Sequence, residues 1–545
     1  MTRHRLAVPL LAAALLACAT AKPAASPAPA PAAKPTAAAP SGPRWYDGAV
    51  FYEVFVRSFQ DTDGDGVGDF KGLTQRLDYL NDGDPKTTTD LGVDALWLMP
   101  MLESPSYHGY DVTDYEKVEK DYGTEADFDA FLAAAHARGI KVIIDLVLNH
   151  TSNQHPWFQE SKSSKTSPKR DWYVWSDTDL GWGRPWDPGA RTWHKTPTGY
   201  YYGLFWEGMP DLNWRNPEVR TEARRVAEKW LARGVDGFRL DAIRHLVEEG
   251  PGPGQSSSPE TLTYVYEFAQ AVRKAKPDAY LVGEVWADVD EAAEYVGKDL
   301  QGLTAMFDFQ LADAAVKAAT AADASSLETC LENAQKVYPK GGIDAPFLTN
   351  HDMKRVGSVA GGDRAKLGLA AAVLLTLPGT PYLYYGEEIG LMNGLGSDDE
   401  FKRTPMRWDG SALAGFTTGK PWFRFSPAPA DGNVGAETGD PASLLSRYRT
   451  LIRARKASAA LARGDAVVLP RAQGGRVVAW LRRSGDEVVL VAHNLGETPA
   501  EAGPLPAPGA TAEPIFADPA AELVREGTGW RARLPGRGSG VWRLR

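Results

Sequence analysis

Three acidic residues each close an apolar, strand-like run: Asp241 in "GFRLDA", Glu284 in "YLVGEVW" and Asp352 in "APFLTNHD". Arg239 precedes Asp241 by two residues, so on a strand it shares that residue's face and can keep a carboxylate ionised. His150 and His351 end runs of their own, "KVIIDLVLNH" and "APFLTNHD". Brought together, these groups suit glycosidic-bond cleavage, in which one carboxylate attacks the anomeric carbon and another protonates the leaving oxygen. Polar neighbours would hold the sugar hydroxyls.

A second constellation is "DTDGDGVGDF", residues 61–70. Asp61, Asp63, Asp65 and Asp69 alternate with small residues, and Gly66 stands where a calcium loop turns sharply. The side chains, with the Val67 carbonyl, make the front half of an EF-hand-type Ca2+ loop. Gly72 occupies the position of the closing Glu, and a strand-like run precedes the loop, so an EF-hand is excluded. Four carboxylates within nine residues repel one another without a cation.

These groups converge only if the elements beneath them do. Eight apolar runs (50–59, 95–100, 141–150, 237–242, 280–286, 303–309, 345–352 and 380–388) alternate with helical segments such as "EADFDAFLAAAHARG" and "PEVRTEARRVAEKWLARG". The pattern predicts an α/β fold, a (β/α)8 TIM barrel over 44–150 and 214–460, whose active groups gather at the C-terminal ends of the strands. Residues 151–213 are too long for a structureless loop and read as a small inserted domain after the third strand. Alternating runs after 461 read as a C-terminal β-sandwich domain, 461–545.

The chain has 545 residues and a formal net charge of -10, which gives nucleic acid or anionic membrane surfaces no electrostatic hold. Its two cysteines, Cys18 and Cys330, build no disulfide framework. Residues 1–18 combine a basic start, a short apolar run and a terminal Cys, resembling a bacterial lipoprotein signal with Cys18 as the lipidated residue. The Ala/Pro-rich stretch 19–43 reads as a tether. The expectation is an exported monomer, lipid-anchored to the cell envelope, with the outer membrane or cell surface favoured.

"DLVLNH", "GFRLDAIRH", "EVW" and "FLTNHD", in that order and on predicted strands, together with "GVDALWLMP", "MPDLN" and "GTPYLYYGEEIG", resemble the α-amylase superfamily, glycoside hydrolase family 13. The resemblance implies that Asp241 is the nucleophile, Glu284 the acid and base, and Asp352 the residue that holds ring hydroxyls. It implies that Arg239 orients Asp241, that His150 and His351 bind the sugar before the scissile bond, and that Tyr110 stacks on it. Arg244 and His245 would bind on the leaving-group side. The 61–69 loop would hold a structural calcium, and Asn149 would join a second calcium site. "MPDLN" looks intermediate between oligo-1,6-glucosidases and neopullulanases. Tyr107 stands where exo-acting α-glucosidases of this kind place an acid, which favours an endo-acting α-amylase on an α-glucan such as starch, glycogen or maltooligosaccharides. The alternatives are an α-glucosidase, a cyclomaltodextrinase or neopullulanase, a 4-α-glucanotransferase, and an inactive glycan-binding lipoprotein.

Overall fold

The computed structural model describes residues 44–427, 432–471 and 474–545; the signal segment, Cys18 and the tether lie outside them. Eight parallel strands form the central sheet: β1 (Phe51–Val54), β2 (Ala95–Leu98), β3 (Lys141–Val147), β4 (Gly237–Asp241), β5 (Tyr280–Gly283), β6 (Ala305–Phe307), β7 (Ile343–Ala345) and β8 (Tyr382–Tyr384). Neighbours in sequence are neighbours in space, and β8 pairs with β1. A single parallel bridge, Phe347 to Tyr382, joins β7 to β8 and closes the barrel.

Strand alternation sorts the interior into layers. Phe51, Ala95, Ile143, Tyr280, Val282, Ala305, Ile343 and Tyr382 belong to one buried apolar cluster that plugs the barrel. Within it the Phe51 and Tyr382 rings stack 4.5 Å apart. Two residues further along β1, β2 and β3, the same inward face carries Glu53, Trp97 and Asp145, and β4 carries Arg239 and then Asp241. The mouth is polar because the alternation continues after the apolar residues end.

The seventh strand departs from the expectation of 345–352. It occupies Ile343–Ala345, because Pro346 has no N–H to donate and interrupts the ladder. Asp352 therefore stands on the connection after β7 rather than at a strand end.

Helices pack outside the barrel, and their ends follow local chemistry. In the helix Pro217–Arg233, Asn216 caps the start, Pro fills the first turn, and Gly234 at φ 114° stops it. Between β3 and β4 the chain forms a helix, Pro156–Ser163, and a three-stranded antiparallel sheet built from Trp175–Ser176, Gly199–Tyr202 and Trp193–Thr196. Isolated bridges His150–Asp211 and Tyr173–Leu212 attach this segment to the barrel.

The C-terminal region packs a five-stranded against a three-stranded antiparallel sheet around Leu481, Leu490, Trp530 and Trp542. It meets the barrel at the end of the helix Arg364–Thr376. There Arg482 donates to the Thr376 carbonyl at 2.7 Å, and Arg455 donates to those of Leu375 and Leu377 at 3.0 and 2.7 Å. Both arginines are fully buried, and they supply donors to carbonyls that a helix end leaves without partners.

Candidate active site

Arg239 is the hub of the mouth. Its guanidinium donates to Asp241 Oδ1 at 2.7 Å and to Asp145 Oδ1 at 2.9 Å, and pairs with Glu284 Oε2 at 2.9 Å. Asp241 and Glu284, from adjacent strands, are thus held on two arms of one buried guanidinium. The Ala242 N–H donates to Glu284 Oε2 at 2.8 Å, and the Trp286 indole N–H donates to Oε1 at 2.9 Å. Ala242 sits in the left-handed region at φ 46°, unusual for a residue with a side chain, and this sharp turn brings its N–H to the acid. One cation faces three carboxylates in dry surroundings. Burial pushes Asp241 well above the usual carboxylate range, with Arg239 opposing and the charges of Glu284 and Asp145 adding to it. Burial likewise raises Asp145 to about 6.

Asp352 is set the opposite way. Burial works to raise it, but the His351 and Arg403 cations win and hold it far below the usual range. Arg403 Nη2 lies 2.8 Å from Asp352 Oδ1, and His351 Nε2 lies 3.2 Å from Oδ2. His351 is pinned from behind, its Nδ1 2.6 Å from Glu53 Oε1. Burial opposes its charge, yet the carboxylates of Asp352 and Glu53 carry its pKa to about 9.

The remaining predicted sugar-binding residues surround this centre. Tyr110 stacks on His351 with ring centroids 5.5 Å apart, and its hydroxyl lies 2.6 Å from His351 Nε2 and 3.1 Å from Asp145 Oδ2. His150 is kept neutral by burial, down to about 3, with Nε2 3.2 Å from the Tyr110 carbonyl oxygen. Burial lowers His245 to about 4; its Nδ1 meets the Gln255 carbonyl oxygen at 2.8 Å and its ring neighbours Trp186. Arg244 pairs with Glu291 at 2.7 Å and donates to the Trp286 carbonyl, so its guanidinium is already engaged.

Sequence reasoning missed Asp145, Glu53, Arg403 and Trp286. A carboxylate inside each apolar run, "KVIIDLV" and "FYEV", was the available signal for the first two, since a buried charge needs a partner. Arg403 had none, lying in a long connection without periodicity.

In the 61–69 loop, ligand oxygens of Asp61, Asp63 and Asp65 lie within 4.8 Å of one another, the one such gathering of three acidic, His or Cys side chains among the described residues. Burial and the charges of Asp63 and Asp61 raise the Asp65 carboxyl, with the Val67 N–H opposing. Three all-oxygen donors crowded in this way fit a hard divalent cation such as Ca2+. Asp69 stands apart: it caps the helix Phe70–Gln75 through Gly72 N at 2.7 Å and takes the Thr62 N–H at 2.7 Å. Asn149 donates to Asp211 Oδ2 at 3.0 Å, joining barrel to insert, while its own Oδ1 is buried without a partner.

The sequence model described as "Alpha amylase, catalytic domain" matches residues 53–464. Alpha-amylase 3 of Dictyoglomus thermophilum is 40% identical over 455 residues, covering 83% of this chain and 85% of that one. An oligo-1,6-glucosidase of Heyndrickxia coagulans is 35% identical over 522 residues, covering 83% and 92%. The crystal structure of an alpha-amylase from H. orenii superposes with a TM-score of 0.80 at 40% identity, covering 92% of this chain and all of that one.

Proposed function

The chain belongs to the α-amylase family, glycoside hydrolase family 13, and from that membership we propose that it is an endo-acting α-amylase cleaving internal α-1,4 bonds of starch, glycogen or maltooligosaccharides. The carrying observation is the paired setting of Asp241 and Glu284 on one guanidinium beside an Asp352 held ionised. In the first step Asp241 Oδ attacks the anomeric carbon, the glycosidic C–O bond breaks, and Glu284 gives its proton to the leaving oxygen. In the second, Glu284 takes a proton from water, whose oxygen displaces Asp241 and restores the original anomeric configuration. The reaction requires an ionised Asp241 and a proton on Glu284 at the start of the cycle. Asp352, ionised by His351 and Arg403, stabilises the developing positive charge on the ring.

The endo mode is supported by half-exposed aromatic faces beyond the scissile position: Trp286 donates to Glu284, and Trp186 neighbours His245. Such faces can stack on further sugar units of a long chain. The reading extends to a calcium ion held by Asp61, Asp63 and Asp65, where it would neutralise their mutual repulsion. It extends also to export and lipid anchoring at Cys18, checked by mass spectrometry of the mature N-terminus.

The test is a product time course on reducing-end-blocked starch and short maltooligosaccharides, beside an Asp241→Asn control. Early mixed oligosaccharides, absent in the control, are expected. Glucose released alone would make the enzyme an α-glucosidase, and products longer than the substrate would make it a transferase. No turnover at all would leave a glycan-binding protein.

A further inference from the structure

Arg403 does more than neutralise Asp352: its other arm reaches the Tyr107 hydroxyl at 3.4 Å. Tyr107 in turn stacks on Trp422, ring centroids 5.4 Å apart and 23° between planes. Trp422 and Arg403 lie on the connection after β8, and Tyr107 on that after β2. The barrel order places both across the mouth from β4 and β5, which carry Asp241 and Glu284. The pair therefore stands on the Asp352 side of the mouth, joined to it through Arg403.

The strand of chain that presents Trp422 is fastened to the 61–69 loop along its length. Asp61 N–H donates to the Phe416 carbonyl at 2.9 Å, Thr417 Oγ1 donates to Asp61 Oδ2, and Trp422 N–H donates to the Gly66 carbonyl at 2.8 Å. Gly66, at φ 94°, lies so close that a Cβ there would run into the Lys420 carbonyl oxygen. The indole N–H of Trp422 ends the attachment on Ser58 Oγ at 3.1 Å.

We propose that Tyr107 and Trp422 form a specificity-determining wall against which a sugar unit past Asp352 packs, and that the 61–69 loop is the strut that positions it. The inference rests on the glucan reading above. Trp422 is a positioning residue, acting through Tyr107, so the informative readout is a split between KM and kcat.

The experiment measures maltotriose binding to the Asp241→Asn protein by calorimetry, and KM and kcat for maltotriose and for starch in the active enzyme. Trp422→Ala and Tyr107→Ala are each expected to weaken maltotriose binding about 5- to 10-fold. They should raise KM for the short substrate while leaving kcat on starch nearly unchanged. Thr417→Val, which removes one fastening without disturbing the turn, is expected to move the same quantities in the same direction by a smaller factor. Gly66→Ala is the stronger strut variant, and its binding is read only where its melting curve stays cooperative. Unchanged binding in Trp422→Ala overturns the wall. Weakened binding in Trp422→Ala beside parental binding in Thr417→Val overturns the strut. A parent that neither binds maltotriose nor cleaves starch sinks the glucan reading and the wall with it.

Discussion

The two rims of the barrel mouth are built from different interactions. On the rim formed after β7, β8, β1 and β2, Glu53, His351, Asp352 and Arg403 make a chain of ion pairs, and Tyr107, stacked on Trp422, adjoins it through Arg403. On the rim formed by the insert and the connections after β4 and β5, Trp186, Trp206 and Trp286 are 53%, 45% and 46% exposed. The first rim fixes charge in dry protein, where electrostatics are strong and geometry must be right. The second presents faces that stack on any sugar unit with little demand on register. On the proposed reaction the first holds one ring in one conformation, and the second accepts chains of varied length.

The deepest cut removes what both rims serve. Asp241→Asn should lower kcat on starch by about 10^4-fold, since it abolishes the covalent step while keeping the pairing with Arg239. Residual rapid cleavage would mean another residue attacks. Next, Arg403→Met strips Asp352 of a buried cation and should cost about 10^2- to 10^3-fold in kcat/KM, mostly through kcat. On the opposite rim, Trp186→Ala should cost about 10-fold at most, confined to KM for long chains. A large kcat loss on short substrates from Trp186→Ala would erase the distinction between the rims.

The charged rim also carries a pH signature. His351 is raised from 6.5 to about 9, so the stability it contributes is fully present below about 6.5 and disappears as pH rises through about 9. The size is roughly 3 kcal/mol. Urea midpoints should fall between pH 6.5 and 9 in the parent and fall less in His351→Gln; parallel curves would remove the buried imidazolium. The smaller of the two stability effects is expected at the 61–69 loop. Calcium at a hundred times its Kd should stabilise by about 2.7 kcal/mol, read as a Tm shift of a few degrees on chelation. Asp63→Asn with Asp65→Asn should abolish that shift, and an unshifted parent would argue against a resident cation.

Legibility in the sequence followed periodicity. The eight barrel strands and the antiparallel C-terminal region were readable because each run is predominantly apolar and bounded by polar residues. Asp241 and Glu284 were found because they terminate such runs. The seventh strand was misplaced because Pro346 leaves the apolar pattern intact while removing a ladder donor. Asp145 and Glu53 were hidden for a related reason: a strand's inward face changes from apolar to charged without any change in its period. Arg403 and Trp422 lie in a stretch whose conformation is set by contacts with residues more than three hundred positions earlier, so no local pattern announces them. Asp69 was read only as part of the acidic loop pattern; in the structure it also accepts from Thr62 and Gly72 and caps the helix Phe70–Gln75, a role that no local period marks.

The arginines at the end of the helix Arg364–Thr376 bear on how such enzymes can be recombined. Arg482 comes from the C-terminal sheets and Arg455 from the helix that leads to them, yet the carbonyls they satisfy belong to the barrel. Severing the chain between the two regions would part Arg482 from the Thr376 carbonyl and strand a buried acceptor on one side and a buried cation on the other. Barrel and C-terminal domain are therefore one inheritance: a chimera that imports a foreign C-terminal domain must import the partner of Thr376 with it, or leave the end of the helix before β8 without its donor.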